Sequence, residues 1–157
     1  MKAEMMNPFT EAAFYVIKEV LFDENIKRGT LGVQTGAVVS SGMTTVVGIV
    51  GALEGHVLFD MTKEDALKIA GEMNGGEVFP GIDSIVRSTI NELANMISGN
   101  ASAKLSEKGF VCDISPPTMV IGKGAEVFSH KAETRLTLPI ETSFGTLTLA
   151  LAISPKA

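Results

Sequence analysis

The sequence predicts an α+β fold, an antiparallel sheet built from two helix-plus-three-strand halves with helices packed on it. Three observations lead there. Helical apolar periodicity at the start of the chain is followed by three β-like runs, and the same order returns after residue 62. The runs are separated by short turn-like segments. The halves also end alike, in hairpins over 49–59 and 138–149, each with a Glu near the turn and a Gly starting the last strand. An internal duplication explains that likeness, and so does a shared hairpin grammar.

Taken in order, Asn7 is placed to cap a first helix, with Pro8 at its first position. Ala13, Val16, Ile17, Val20 and Leu21 recur at helical spacing, and Lys27-Arg28-Gly29 breaks the pattern. Strand-like runs follow over 31–39, 43–53 and 56–61, divided at Ser40-Ser41-Gly42 and at Glu54-Gly55. Gly48 and Gly51 inside the second run point to a bulge or a close backbone approach. Thr62 then caps a short helix with acids in its first turn, and Asn74-Gly75-Gly76 stops it near residue 73. A long helix spans about 83–108 and ends at Gly109. Three more strands cover 110–121 (interrupted by Pro116-Pro117), 134–141 and 145–153, with a polar loop over 122–133.

Residues 1–157 suffice for a single domain with a real core. A net charge of −5 with no basic block argues against nucleic acid, which demands a cationic face. The most apolar stretch, 46–59, is interrupted by Glu54, His56 and three glycines, so no membrane span is expected. No signal peptide precedes Asn7-Pro8, which makes cytoplasm the expected compartment. Cys112 is the only cysteine, so neither an internal disulfide nor a thiolate metal cluster is available. It reads as a small apolar core residue. His56 and His130 lack a Cys or acidic partner at metal-like spacing and read as structural or exposed. No metal site is expected. Gly122-Lys123-Gly124 lacks the spacing of a phosphate-binding loop.

The long helix is the informative element. Ile82, Val86, Ile90, Leu93 and Ile97 form its core stripe, with Thr89 beside it. Ser88, Glu92, Asn95 and Gly99 follow at steps of four, three and four and share a polar face nearly opposite. A solvated helix back accounts for such a face. Asn and Gly, however, are poor choices for one, where Ala, Glu or Lys would be more stable.

The string from Ser88 to Ala101 resembles the signature helix of the CheC/CheX/FliY chemotaxis phosphatases. That signature has an Asp or Ser, three residues, Glu, two residues, Asn, and a Pro some twenty positions on. Ser88, Glu92, Asn95 and the pair Pro116-Pro117 fit it. The Gly99-Asn100-Ala101 sequel and the opening Asn7-Pro8-Phe9 look like CheX in particular. In the first helix Glu11 is followed three residues later by Phe14, so one active helix per chain is expected. The resemblance implies a phosphatase acting on the phospho-aspartate of a CheY-like response regulator. Glu92 and Asn95 would be its catalytic residues, with Ser88, Asn91 and Gly99 in the partner-binding surface. The chain would bind no cofactor itself, since the regulator brings Mg²⁺, and a homodimer is the family expectation. A non-catalytic regulator-binding module, like the flagellar motor-switch proteins, is the competing reading. A structural or small-ligand domain is the third.

Overall fold

The computed structural model describes residues 3–128 and 134–156. Helix α1 (Met6–Leu21) leads into two short strands, β1 (Lys27–Arg28) and β2 (Gly32–Thr35), then β3 (Val38–Val39), β4 (Gly42–Gly51) and β5 (Leu53–Thr62). Helices α2 (Lys63–Met73) and α3 (Ser84–Glu107) follow. The second half completes the chain with β6 (Cys112–Ile114), β7 (Thr118–Ile121), β8 (Glu126–Phe128), β9 (Thr134–Thr142) and β10 (Gly145–Pro155).

The main sheet runs β1-β9-β10-β5-β4-β6, antiparallel throughout. β5 and β10, the last strands of the two halves, meet at its centre. The short strands cross over: β1 and β2 of the first half add to β9 of the second, while β6 and β7 of the second add to β4 of the first. β3 and β8 pair with each other as a separate ribbon. Two like units exchanging their short strands give this pattern.

Strand alternation divides the sheet between two cores. Met43, Val47, Ile49, Val57, Phe59 and Met61 face the helices, packing with Phe9 and Ile17 of α1 and with Ile90, Leu93 and Ile97 of α3. On the opposite face, Leu58 and Ala150 are covered by Val38 and Val127 of the ribbon. The helix side therefore holds nearly all the buried apolar surface and fixes where α3 sits.

Several local expectations hold. The Thr62 side chain accepts from the Asp65 amide at 3.1 Å, as expected; that Asp83 caps α3 through the Val86 amide was not anticipated. Val86, Ile90, Leu93 and Ile97 are fully buried. Cys112 is buried and unpaired, and His56 is buried in the sheet. His130 lies outside the described residues.

Others are corrected. Asn7 does not cap α1, because a 3-10 turn, Ala3–Met5, feeds straight into the helix and the cap position is Met5. Pro8 is still within the first turn, where its missing N–H costs nothing. The first hairpin turns at Ala52, and Glu54-Gly55 lies inside β5. Gly55 there signals close approach rather than a turn: its φ is +148° and a Cβ would stand 1.9 Å from the Ala152 carbonyl oxygen. The run over 31–39 splits at Gly36 into two strands of different sheets. Lys27–Arg28, read as a break, is an edge strand, and the polar loop over 122–133 contains β8, because Val127 has the ribbon core to fill.

Candidate functional site

Ser88, Glu92 and Asn95 are exposed on α3, and Asn91 and Gly99 beside them are half-buried. All five lie along one side of a helix whose opposite side is buried, so the core fixes their direction. Among the described residues, neither Glu92 nor Asn95 has a hydrogen-bond or ion-pair partner. The Asn91 side-chain oxygen is buried and also without a partner among the described residues.

The face is one wall of a shallow cleft of about 480 Å³. Ser88, Asn91, Glu92 and Asn95 form that wall. Ile114, Ser115, Pro116 and Pro117, the connection from β6 to β7, form the other. This connection is held rigidly. The Ser115 amide donates to the Gly48 carbonyl at 2.9 Å, and the Gly48 amide donates to Ser115 Oγ at 2.7 Å. A Cβ at Gly48 would stand 3.1 Å from Ser115 Oγ, which explains the glycine inside β4. Pro116 and Pro117 then fix the backbone dihedrals of the wall itself.

Helix α3 is pinned at two further points. Ser102 Oγ donates to the Cys112 carbonyl at 2.9 Å, tying α3 to β6. Asn74 Nδ2 donates to Thr89 Oγ1 at 3.0 Å, tying α2 to the side of the functional face. A carboxylate and a carboxamide one helical turn apart, uncommitted and on a fixed backbone, are pre-organised to meet groups brought by another molecule.

The structure thus brings Ser88, Asn91, Glu92 and Asn95 together with Pro116 and Pro117, the residues on which the family resemblance rested. Gly99 continues the face but lies outside the cleft wall. Sequence reasoning missed Ser115. Its signal was a small hydrogen-bonding residue directly before two prolines, where the chain is extended and cannot join a helix. No group of three or more His, Cys, Asp or Glu able to hold a metal occurs among the described residues. No helix of the described residues is long and apolar enough to cross a membrane.

Comparison with known proteins adds to this geometry. Residues 43–141 match the family model described as chemotaxis phosphatase CheX. The chain is 31% identical over 140 residues to the CheY-P phosphatase CheX of Thermotoga maritima, covering 89% of this chain and 90% of that protein. Its fold is similar to that of CheX in the CheX–CheY–BeF3–Mg complex from Borrelia burgdorferi, with a TM-score of 0.82, 31% identity, and coverage of 97% and 99% of the two chains. Chemotaxis protein CheX from Vibrio vulnificus is similar too, with a TM-score of 0.84, 25% identity, and coverage of 97% and 100%.

Proposed function

Because the chain belongs to the CheX family of chemotaxis phosphatases, we propose that it hydrolyses the phospho-aspartate of a CheY-like response regulator, with the Glu92–Asn95 face completing an active site that the regulator half supplies. The observation that carries this reading is the pair itself. Both side chains are exposed, co-facial and unpartnered among the described residues, beside a wall anchored by Ser115. The CheX relative from Borrelia, solved with CheY, BeF3 and Mg, supports the choice of partner.

The division of labour follows from what each side has. The regulator carries the phosphoryl group on an aspartate, beside Mg²⁺ and a lysine. What is missing is a water held in line with phosphorus, and phosphoryl transfer is largely positioning and charge stabilisation. The Asn95 carboxamide suits this, since it both accepts from and donates to one water without adding charge. That water attacks phosphorus, the bond from phosphorus to the aspartate oxygen breaks, and inorganic phosphate leaves with the water's oxygen. Glu92, one turn away, pairs with the regulator's lysine and sets the register of docking. No nucleophile and no metal ligand of this chain enters the step.

A homodimer belongs to the same reading. Among the described residues the main sheet ends at β1–β2 on one side and at β6–β7 on the other, edges that a second copy could cover. Sedimentation should give twice the 16.5 kDa of the chain.

The test of the function is phosphate release from a phosphorylated CheY-like regulator, parent against Asn95→Ala. The parent is expected to accelerate release and the variant to lose that acceleration with its fold intact. Equal rates would remove Asn95 from the mechanism. Tight binding of the phosphorylated regulator without release by the parent would make the chain a binding module.

A further inference from the structure

The catalytic face of α3 is bracketed by two exposed apolar side chains whose presence the chemistry above does not explain. Ile85 is 48% exposed and Met96 is 36% exposed. At about 100° per residue, Ile85 lies seven positions before Glu92 and about 20° from it around the helix, and Met96 lies four positions after and about 40° away. The three therefore form one line, and Glu92 sits between the apolar residues.

The charge pattern along this line is as telling. Between Arg87 and Lys104, Glu92 is the single charged residue of α3. A helix side left to water gains stability and solubility from Glu and Lys. Depletion of charge, with Met and other apolar groups at its centre, is the composition of a protein interface. The main core leaves both residues outside, since Val86, Ile90, Leu93 and Ile97 already fill it.

We infer that Ile85 and Met96 are docking anchors for the response regulator, gripping apolar surface on either side of its phosphorylation site while Glu92 meets its lysine between them. This rests on the proposed function for the identity of the partner, and the occupant follows from continuity with the Glu92–Asn95 face. Ile85 and Met96 are positioning residues. They touch no reacting atom, and their burial against the regulator sets how tightly and in what register Asn95 is presented.

The experiment reads binding and turnover separately. The parent, Ile85→Gln, Met96→Gln and the double variant are titrated with a regulator loaded with beryllofluoride and Mg²⁺, and phosphate release is measured against regulator concentration. Gln keeps helix propensity, and both sites are exposed, so circular dichroism and melting should match the parent. Each single variant should weaken the dissociation constant several-fold and the double variant at least about tenfold, which corresponds to about 1.4 kcal/mol. KM should rise in step, with kcat within about twofold. Met96→Leu should restore parent affinity, and Val78→Gln, an exposed change in the loop before α3, should alter neither quantity.

Unchanged binding in the double variant overturns the inference, as does a fall in kcat at constant KM. The outcomes also separate the two readings. A parent that binds the loaded regulator but releases no phosphate ends the enzyme reading, and the anchors stand or fall on the dissociation constants. A parent that does not bind the regulator at all ends both.

Discussion

Helix α1 carries Asn7, Glu11, Phe14 and Lys18 at steps of four, three and four, and α3 carries Ser88, Glu92, Asn95 and Gly99 at the same steps. α1 precedes the strands of the first half and α3 those of the second, and the two helices pack against each other over the same sheet. Their surfaces nonetheless differ. Glu11 Oε2 lies 3.6 Å from Lys104 Nζ, so its carboxylate joins the two helices. The residue three positions on is Phe14, partly buried against the core. On α3 the carboxylate and carboxamide have no partner among the described residues, and a proline-containing wall stands beside them. Two helices share one sheet and one spacing, and on the proposed function the unpartnered side chains and the neighbouring wall set α3 apart.

The strongest way to break this contrast is to remove Asn95. Asn95→Ala should lower phosphate release by about 100-fold, the scale expected when an attacking group is no longer held in place. Glu11→Ala on the other helix should leave the rate unchanged and cost at most about 1 kcal/mol of stability, since it breaks one exposed ion pair. A comparable rate loss from Glu11→Ala would mean that both helices work.

The next test moves the motif. Phe14→Asn, made together with Asn95→Ala, writes Glu-x-x-Asn into α1. It should lower stability by about 2–3 kcal/mol, because an aromatic is lost from the core margin and an amide enters it. It should restore no phosphatase activity, because Glu11 remains engaged with Lys104. Recovered phosphate release would show that residue identity alone makes the site, and that the cleft wall is dispensable.

How much of this contrast the sequence carried depends on the scale of the signal. The core stripe, the stop at Gly109 and the polar face of α3 were legible because such signals act over a few residues. The Thr62 cap of α2 is a local signal of the same kind. The exchange of short strands was not legible, since β1, β6 and β7 are only two to four residues long and their partners lie in the other half. Gly55 misled for a related reason. A glycine needed for close approach to Ala152, 97 positions away in sequence, carries the same letter as one needed for a turn. At the site, Glu92 and Asn95 were visible through their string, whereas Ser115 was not, because its importance comes from Gly48 across the sheet.

The end of α1 carries an architectural role that can be tested by pH. Asp23 directly follows the helix and accepts from the Ser143 amide at 2.7 Å, the Asn25 amide at 2.9 Å and the Ser143 hydroxyl at 2.9 Å. It thus ties the first half to the β9–β10 turn of the second. The Ser143 and Asn25 amides hold its carboxyl below the ordinary value of 3.8, against the opposing effect of burial. A depressed folded-state pKa means that the unfolded chain takes up the proton first. The stabilisation is therefore complete above the unfolded value and is lost as pH falls through the lower, folded one. Asp23→Asn should cost about 1–2 kcal/mol at neutral pH, because one acceptor oxygen becomes a donor facing a donor. Denaturant melts should show the gap between parent and variant narrowing below pH 3.8, and a gap that stays constant there would remove the charged form from the account.

The smallest effect is the one that best separates a working surface from a merely wet one. Gly99 continues the functional line of α3, at the step where α1 carries Lys18, and a Cβ built on it meets nothing within 4 Å. Its backbone angle is not among the positive ones, so no turn or left-handed conformation requires glycine there. Gly99→Ala should therefore stabilise the fold by about 0.5–1 kcal/mol. If the face receives the regulator closely, the added methyl should at the same time weaken binding of the phosphorylated regulator by a few-fold, without altering the rate at saturation. Stability and affinity would then move in opposite directions from one methyl group, which a solvated helix back cannot produce. A variant that melts higher and binds as the parent does would place the edge of the interface short of Gly99.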